Sequence, residues 1–141
     1  MNILFCSCII LTNKFDEVLI CQRPIGKFME GFWEFPGGKV KNGEKFNSAA
    51  AREIKEELDV SVKTEKLYFL MNIFYEYPEH FLSMQVYVAD LWQGKIKGMD
   101  KQKFKWIKKE ELKDFNMLPA SKSIIKKILS RKNLFFPRTN N

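Results

Sequence analysis

The chain has 141 residues, is 45% hydrophobic, contains 13 phenylalanines and carries a formal net charge of +7. This composition excludes a disordered chain and is most simply that of one domain, residues 1–141, ending in a mobile tail at 134–141. No stretch approaches the roughly 18 apolar residues of a membrane span, and the apolar start lacks the basic residues of a signal peptide, so we expect a cytoplasmic protein.

The positive charge suits a protein that meets anions such as phosphates. Lysines are spread along the chain, and the densest run, residues 122–132, is explained as well by a solvated helix face as by an RNA partner. We therefore expect no stable nucleic-acid complex, and a monomer or weak dimer. Cys6, Cys8 and Cys21 are too few for a disulfide framework or a zinc site and are expected to be reduced, buried thiols.

The first half of the chain alternates β-branched, apolar runs with turn residues. The run Asn13-Lys14-Phe15-Asp16 is typical of a hairpin turn, and Pro24 ends the second strand because proline cannot donate to a ladder. Pro36-Gly37-Gly38 predicts a turn toward the first helix. In chain order, the predicted elements are strands at 3–12 and 17–23, a loop at 25–31, a short strand at 32–35 and a helix at 47–58.

The second half begins with two aromatic-rich runs, which predict a long antiparallel pair of strands. In the second run, alternating residues from Leu82 to Val88 show the period of a half-buried strand. The final helix is expected to start near Pro119 and to bury one apolar stripe. The predicted elements are strands at 66–77 and 81–92, a polar loop at 93–103, a short strand at 104–107, a helical turn at 108–112 and this final helix.

Three carboxylates converge on the first predicted helix. Glu53, Glu56 and Glu57 stand at i, i+3 and i+4, which places them on one helical face. Like charges this close are unfavourable unless a cation neutralises them, and magnesium or manganese prefers oxygen ligands. The alternative is a solvated acidic face in which Arg52 and Glu56 form an ordinary i, i+4 pair.

The residues before the helix favour the metal hypothesis. Gly37-Gly38 allow tight turning and leave a carbonyl free to face a metal, and Glu44 adds a carboxylate. The spacing resembles the signature box of the Nudix hydrolases: Gly38, five residues, Glu44, seven residues, Arg52-Glu53-Ile54, one residue, Glu56-Glu57, two residues and Val60. The one departure is Asp59, where the family usually has glycine in a left-handed conformation that Asp tolerates less well.

The resemblance implies an α/β fold, the Nudix-type α/β/α sandwich with a mixed β-sheet between helices. It implies Mg2+ as cofactor, with Mn2+ a possible substitute, held by the Gly37 carbonyl and by Glu53, Glu56 and Glu57. Arg52 is expected to orient the glutamates, because its guanidinium suits bidentate carboxylate pairing. Glu44 is left open as a further ligand, a supporting group or a base. Asp100 lies where similar proteins carry an acidic residue that reaches the metal, although it is equally well a loop turn residue.

Within the family, the runs from Gln22 to Pro24 and from Trp33 to Lys39 are similar to the MutT-type branch, which acts on nucleoside triphosphates. By this resemblance Arg23 and Phe35 would contact the nucleotide, Lys39 would help to hold phosphate, and Glu34 would support the site. For Phe35, strand packing is the alternative. The implied activity is Mg-dependent hydrolysis of a nucleoside triphosphate to a monophosphate and pyrophosphate, removing 8-oxo-dGTP from the nucleotide pool.

Two base-reading positions depart from this branch. Ser121 stands where the branch has an asparagine after a Pro-Ala pair, and a hydroxyl cannot donate and accept in a fixed plane as an amide does. His80 stands where arginine is usual, with a surface loop residue as the alternative. CTP, dCTP or a modified pyrimidine triphosphate is therefore an alternative substrate. RNA decapping, or a non-catalytic module that binds nucleotide or RNA, remains a further alternative.

Overall fold

The computed structural model describes residues 2–132, and this part of the chain contains seven strands and two α-helices. The predicted tail at 134–141 lies outside the described residues. The elements are β1 (Asn2–Leu11), β2 (Glu17–Gln22), β3 (Trp33–Glu34), β4 (Gly37–Lys39), α1 (Phe46–Leu58), β5 (Tyr68–Glu76), β6 (His80–Ala89), β7 (Phe104–Lys108) and α2 (Lys122–Leu129). None of the described helices is long and apolar enough to cross a lipid bilayer.

The strands form two sheets. One is mixed, in the order β4-β1-β6-β5, with β1 and β6 parallel over their full lengths. The other is antiparallel, in the order β3-β2-β7. The predicted antiparallel pairing of β5 with β6 is confirmed.

The predicted hairpin at 13–16 is only partly correct. The turn forms, because Asn13 Oδ1 accepts the Phe15 and Glu17 N–H groups at 3.0 and 3.1 Å. However, β1 and β2 meet only at the Thr12–Val18 bridge and then join different sheets. Their remaining hydrogen bonds go to partners distant in sequence, which local turn chemistry does not specify.

The two helices lie on opposite faces of the mixed sheet. Alternate residues of β1 point to opposite faces, and Ile10 packs in the cluster that contains Ile124 of α2, whereas Ile9 packs in the cluster that contains Ile54 of α1. The α/β/α sandwich is thereby confirmed. The alternating pattern of β6 predicted that Tyr87 lies on the less buried face of the sheet. Tyr87 is nevertheless buried, because α1 covers that face at this position.

The Gly37-Gly38 pair is not the predicted turn. Both glycines belong to β4, which pairs with β1 in the register Cys8↔Gly37 and Ser7↔Gly38, and neither has a positive φ. A β-carbon at Gly37 would lie 2.1 Å from the Ser7 carbonyl oxygen. Glycine is required here for close packing and not for turning.

Candidate active site

The close packing of β4 against α1 positions two carboxylates. Glu57 Oε1 accepts the Gly37 N–H at 3.1 Å. The carboxylate of Glu53 lies directly over Gly38, where a β-carbon would be 2.2 Å from Oε2. Residues one helical turn apart on α1 therefore meet consecutive glycines of β4, which fixes both side chains against a rigid element.

Arg52 connects the remaining carboxylates. Its Nε and Nη2 donate to the two oxygens of Glu44 at 2.8 and 2.9 Å, and Nη1 donates to Glu56 at 2.7 Å and to Glu53 at 3.3 Å. Nη2 also donates to the Lys39 carbonyl oxygen at 2.9 Å, which ties the group to β4. The predicted i, i+4 pair of Arg52 and Glu56 is present, but it is one contact of a larger network.

The carboxyl groups differ in their electrostatic environment. Burial, followed by repulsion from Glu34 and Glu53, raises the pKa of Glu57 to about 8, and burial also raises the pKa of Glu53. Hydrogen bonds from Arg52 lower the pKa of Glu44 to about 2. Glu44 is therefore a weak base, and of the roles left open for it the structure favours support of Arg52.

Arg23 links this cluster to the loop before β3. Its Nη1 bonds to Glu34 Oε2 at 3.2 Å, and its Nε donates to the Phe28 carbonyl oxygen at 3.0 Å. Burial raises the pKa of Glu34, and the Arg23 charge opposes that shift. The two predicted substrate-binding residues thus form an ion pair near the partly buried Glu57.

An aromatic pocket of about 300 Å³ opens beyond Arg23. The Phe28 and Tyr77 rings lie edge to face with centroids 5.3 Å apart, and the His80 ring lies 5.4 and 5.1 Å from them. The Tyr77 hydroxyl accepts the Ala120 N–H at 3.1 Å, so the turn before α2 closes one side. Sequence reasoning included His80 but missed Phe28, Tyr75 and Tyr77, although the concentration of aromatic residues around Pro78 could have indicated such a surface.

Two predicted substrate contacts, Phe35 and Ser121, have little exposed surface. The Phe35 side chain is only 3% exposed and packs in the core, which favours the alternative of strand packing, while its contact with a nucleotide stays a prediction. Ser121 is 4% exposed at the start of α2, and its contact with a base stays a prediction. In both cases the sequence motif identified the residue as a candidate contact. It could not predict the exposure of the side chain, because exposure depends on packing against residues distant in sequence.

Two further predicted residues lie on exposed backbone. Lys39 is at the end of β4 and contributes its carbonyl oxygen to Arg52. Asp100 is in the turn Met99–Lys101, which packs against α1, and its backbone is left-handed with φ of 50°. The structure therefore shows the turn-forming role of Asp100, while its role in chemistry and the phosphate contact of Lys39 stay predictions.

The donor atoms around α1 are carboxylate oxygens, which a hard divalent cation prefers. Burial raises the pKa of Glu53 and of Glu57, so the charged form of each would gain from a neighbouring cation. Within residues 2–132, however, no three acidic, histidine or cysteine side chains form a ready-made metal cluster. Glu44, Glu53 and Glu56 instead surround the guanidinium of Arg52. The residue types fit the predicted cation, and Arg52 supplies the positive charge in this arrangement.

Comparison with known proteins gives one consistent result. Residues 6–128 match the NUDIX domain family. The chain is 30% identical over 126 residues to 8-oxo-dGTP diphosphatase of Haemophilus influenzae, covering 89% of this chain and 91% of that protein. It is 24% identical over 110 residues to CTP pyrophosphohydrolase of Escherichia coli, covering 78% and 80%. A solved structure from a study of MutT from Aliivibrio salmonicida and Vibrio cholerae has a TM-score of 0.78 at 27% identity, covering 92% and 98%.

Proposed function

Because the chain belongs to the Nudix hydrolase family, we propose that it is a magnesium-dependent pyrophosphohydrolase that converts a nucleoside triphosphate to a nucleoside monophosphate and pyrophosphate. The leading substrate is 8-oxo-dGTP. The observation that carries the proposal is the placement of Glu53 and Glu57 against Gly38 and Gly37, which holds two carboxylates beside each other on rigid elements. Removal of this damaged nucleotide would make the protein a cytoplasmic mutation-avoidance enzyme.

Glu53, Glu56 and Glu57, with the Gly37 carbonyl, would hold the divalent cation. A bound cation lowers the pKa of water and neutralises charge on the transferring phosphoryl group. Arg52 orients the carboxylates through its fork of donors, because it already bonds to Glu44, Glu53 and Glu56. Burial of Glu57 strengthens its interaction with a cation, since less water competes for its oxygens.

The aromatic pocket is the proposed site for the base. Phe28, 38% exposed, and Tyr75, 36% exposed, offer ring surface for stacking, which is worth about 1–3 kcal/mol per base. The Tyr77 ring is only 5% exposed and supports the other two rings from within the core. Arg23 joins this pocket to the glutamate cluster through Phe28 and Glu34. The name of the Haemophilus influenzae relative, with 89% of this chain covered, supports 8-oxo-dGTP as the substrate.

A pyrimidine triphosphate such as CTP is the second candidate. Ser121 is buried and lacks the planar amide that would recognise two edge groups of an oxidised purine. One relative, at lower identity, is named CTP pyrophosphohydrolase. The aromatic pocket stacks either kind of base, so its shape supports both candidates.

The test is hydrolysis of 8-oxo-dGTP, dGTP, dCTP, CTP and a dinucleoside polyphosphate, compared by kcat/KM with magnesium and with manganese. Formation of nucleoside monophosphate is followed for every compound, and pyrophosphate release is followed for the triphosphates. We expect the highest kcat/KM for 8-oxo-dGTP. A preference for CTP or dCTP would show that the substrate carries a pyrimidine and not an oxidised purine, and it would leave the proposed hydrolytic activity unchanged. No turnover of any compound with either metal would overturn the proposal and favour a binding module or an enzyme acting on RNA.

A further inference from the structure

A second pocket lies beyond the C-terminal end of α1, and none of its lining residues belongs to the candidate active site. Its volume is about 410 Å³, and its lining residues are Ser61, Val62, Lys63, Lys66, Leu91, Trp92 and Gln93. This volume falls within the roughly 300–1,000 Å³ of small-molecule sites. The pocket is therefore large enough for a ligand of its own.

The walls of this pocket are held in place before any ligand binds. Ser61 and Gln93 exchange two backbone hydrogen bonds of 2.9 Å, which join the two segments. The Trp92 indole Nε1–H donates to the Thr12 carbonyl oxygen at 3.1 Å, and its ring stacks on Trp106 with centroids 6.0 Å apart. Walls fixed in this way reduce the ordering cost of binding.

The lining combines an apolar surface with positive charge. Val62, Leu91 and Trp92 supply the apolar part, and Leu91 is 49% exposed although its side chain is fully apolar. Lys63 supplies positive charge, and none of the residues that line this pocket in the described chain carries a carboxylate. An apolar surface beside cations selects a ligand with an apolar body and a negative group.

We propose that this pocket binds a small organic anion, with a compact aromatic or aliphatic body against Trp92 and Leu91 and a single anionic group beside Lys63. The site is separate from the glutamate cluster and from the aromatic pocket. The proposal does not depend on the hydrolysis of a nucleoside triphosphate.

The test uses nuclear magnetic resonance of the full chain, in which the three tryptophans give separate indole N–H signals. The probe is 8-anilinonaphthalene-1-sulfonate, and N-phenyl-1-naphthylamine is the matched body without the charge. We expect the sulfonate to shift the signals of Trp92 and its neighbour Trp106 but not that of Trp33, which lies in the other core cluster. The uncharged compound should bind about fivefold more weakly, the size of one exposed ion contact.

Variants separate this site from general attraction to a basic protein. Lys63→Glu should weaken sulfonate binding by about fivefold or more. Lys113→Glu, the same charge change at another exposed lysine, should leave the Kd within about twofold. Glu53→Gln should bind like the parent chain, which separates this site from the catalytic proposal. An unshifted Trp92 signal, equal binding of the charged and uncharged compounds, or equal Kd values for the two lysine variants would overturn the proposal.

Discussion

The candidate active site depends, residue by residue, on two positions that carry no side chain. Gly37 and Gly38 allow β4 to approach both β1 and α1, so that Glu57 accepts a backbone N–H and Glu53 lies over the strand. The two glycines meet different neighbours. A β-carbon at Gly37 meets the backbone oxygen of Ser7, whereas one at Gly38 meets the end of the Glu53 side chain.

This difference predicts that alanine at Gly38 mainly lowers kcat, whereas alanine at Gly37 mainly lowers stability. In Gly38→Ala, Glu53 can move aside, so we expect the unfolding free energy to fall by about 1 kcal/mol or less while kcat falls about 100-fold, since a displacement of about 1 Å can have that effect. In Gly37→Ala, backbone must move, so we expect a loss of about 2–3 kcal/mol. Urea unfolding and pyrophosphate release measure both quantities. Equal stability losses in the two variants, or an unchanged kcat in Gly38→Ala, would contradict this account.

The helix α1 ends as its sequence indicated. Asp59 follows α1 with φ of 58° and ψ of 32°, and its N–H donates to the Lys55 carbonyl oxygen at 3.1 Å. The predicted left-handed conformation is therefore confirmed, with an aspartate where glycine would be free of strain. The exposed ion pair of Lys55 and Asp59, at 3.0 Å, offsets only part of that strain.

The helix end predicts a reversal of the usual order of alanine and glycine. At position 59 the variant Asp59→Gly should be more stable than Asp59→Ala by about 1 kcal/mol, because only alanine keeps the β-carbon in a left-handed conformation. At the exposed control Asp114, which has no positive φ, the alanine variant should be the more stable by about 0.5–1 kcal/mol. Thermal unfolding of the four variants tests this, and the same order at both positions would refute it.

Sequence reasoning was most accurate for local elements. The helix predicted at 47–58 is observed at Phe46–Leu58, because its apolar and acidic residues follow one helical period. It was wrong about Gly37-Gly38, because glycine pairs usually indicate turns, and the reason for these two is the approach of β1 and α1 from elsewhere in the chain. The aromatic pocket was missed for the same reason, since Phe28 and Tyr77 are brought together only by the fold.

At the scale of the molecule, the residues that the structure describes form one hydrophobic cluster that includes α2 and another that includes α1. Cys8 belongs to the cluster under α2 and Cys21 to the cluster under α1, while Cys6 is half-buried at the edge of the first. The prediction of reduced, buried thiols is confirmed for Cys8 and Cys21, and for Cys6 only the free thiol is confirmed, since its side chain is half-buried. Burial raises the pKa of Cys6 to about 11 and raises those of Cys8 and Cys21 further above the usual range.

The thiols therefore report on the integrity of both clusters. Near neutral pH we expect a maleimide to modify Cys6 slowly and Cys8 and Cys21 only after global unfolding, because a buried thiol forms little thiolate. Mass spectrometry of peptides after timed labelling, with a urea-unfolded sample as the control, measures the three rates. Rapid modification of Cys8 or Cys21 in the folded protein would show that its cluster opens locally.

The most direct test of the proposed chemistry compares two Glu→Gln variants in pyrophosphate release. We predict that Glu53→Gln lowers kcat/KM on the order of a thousandfold, equivalent to about 4 kcal/mol of barrier, with its circular dichroism unchanged. Glu110→Gln, the same change at an exposed glutamate outside the site, should stay within about twofold of the parent chain. If Glu53→Gln keeps the parent rate, the carboxylate over Gly38 is not part of the reaction.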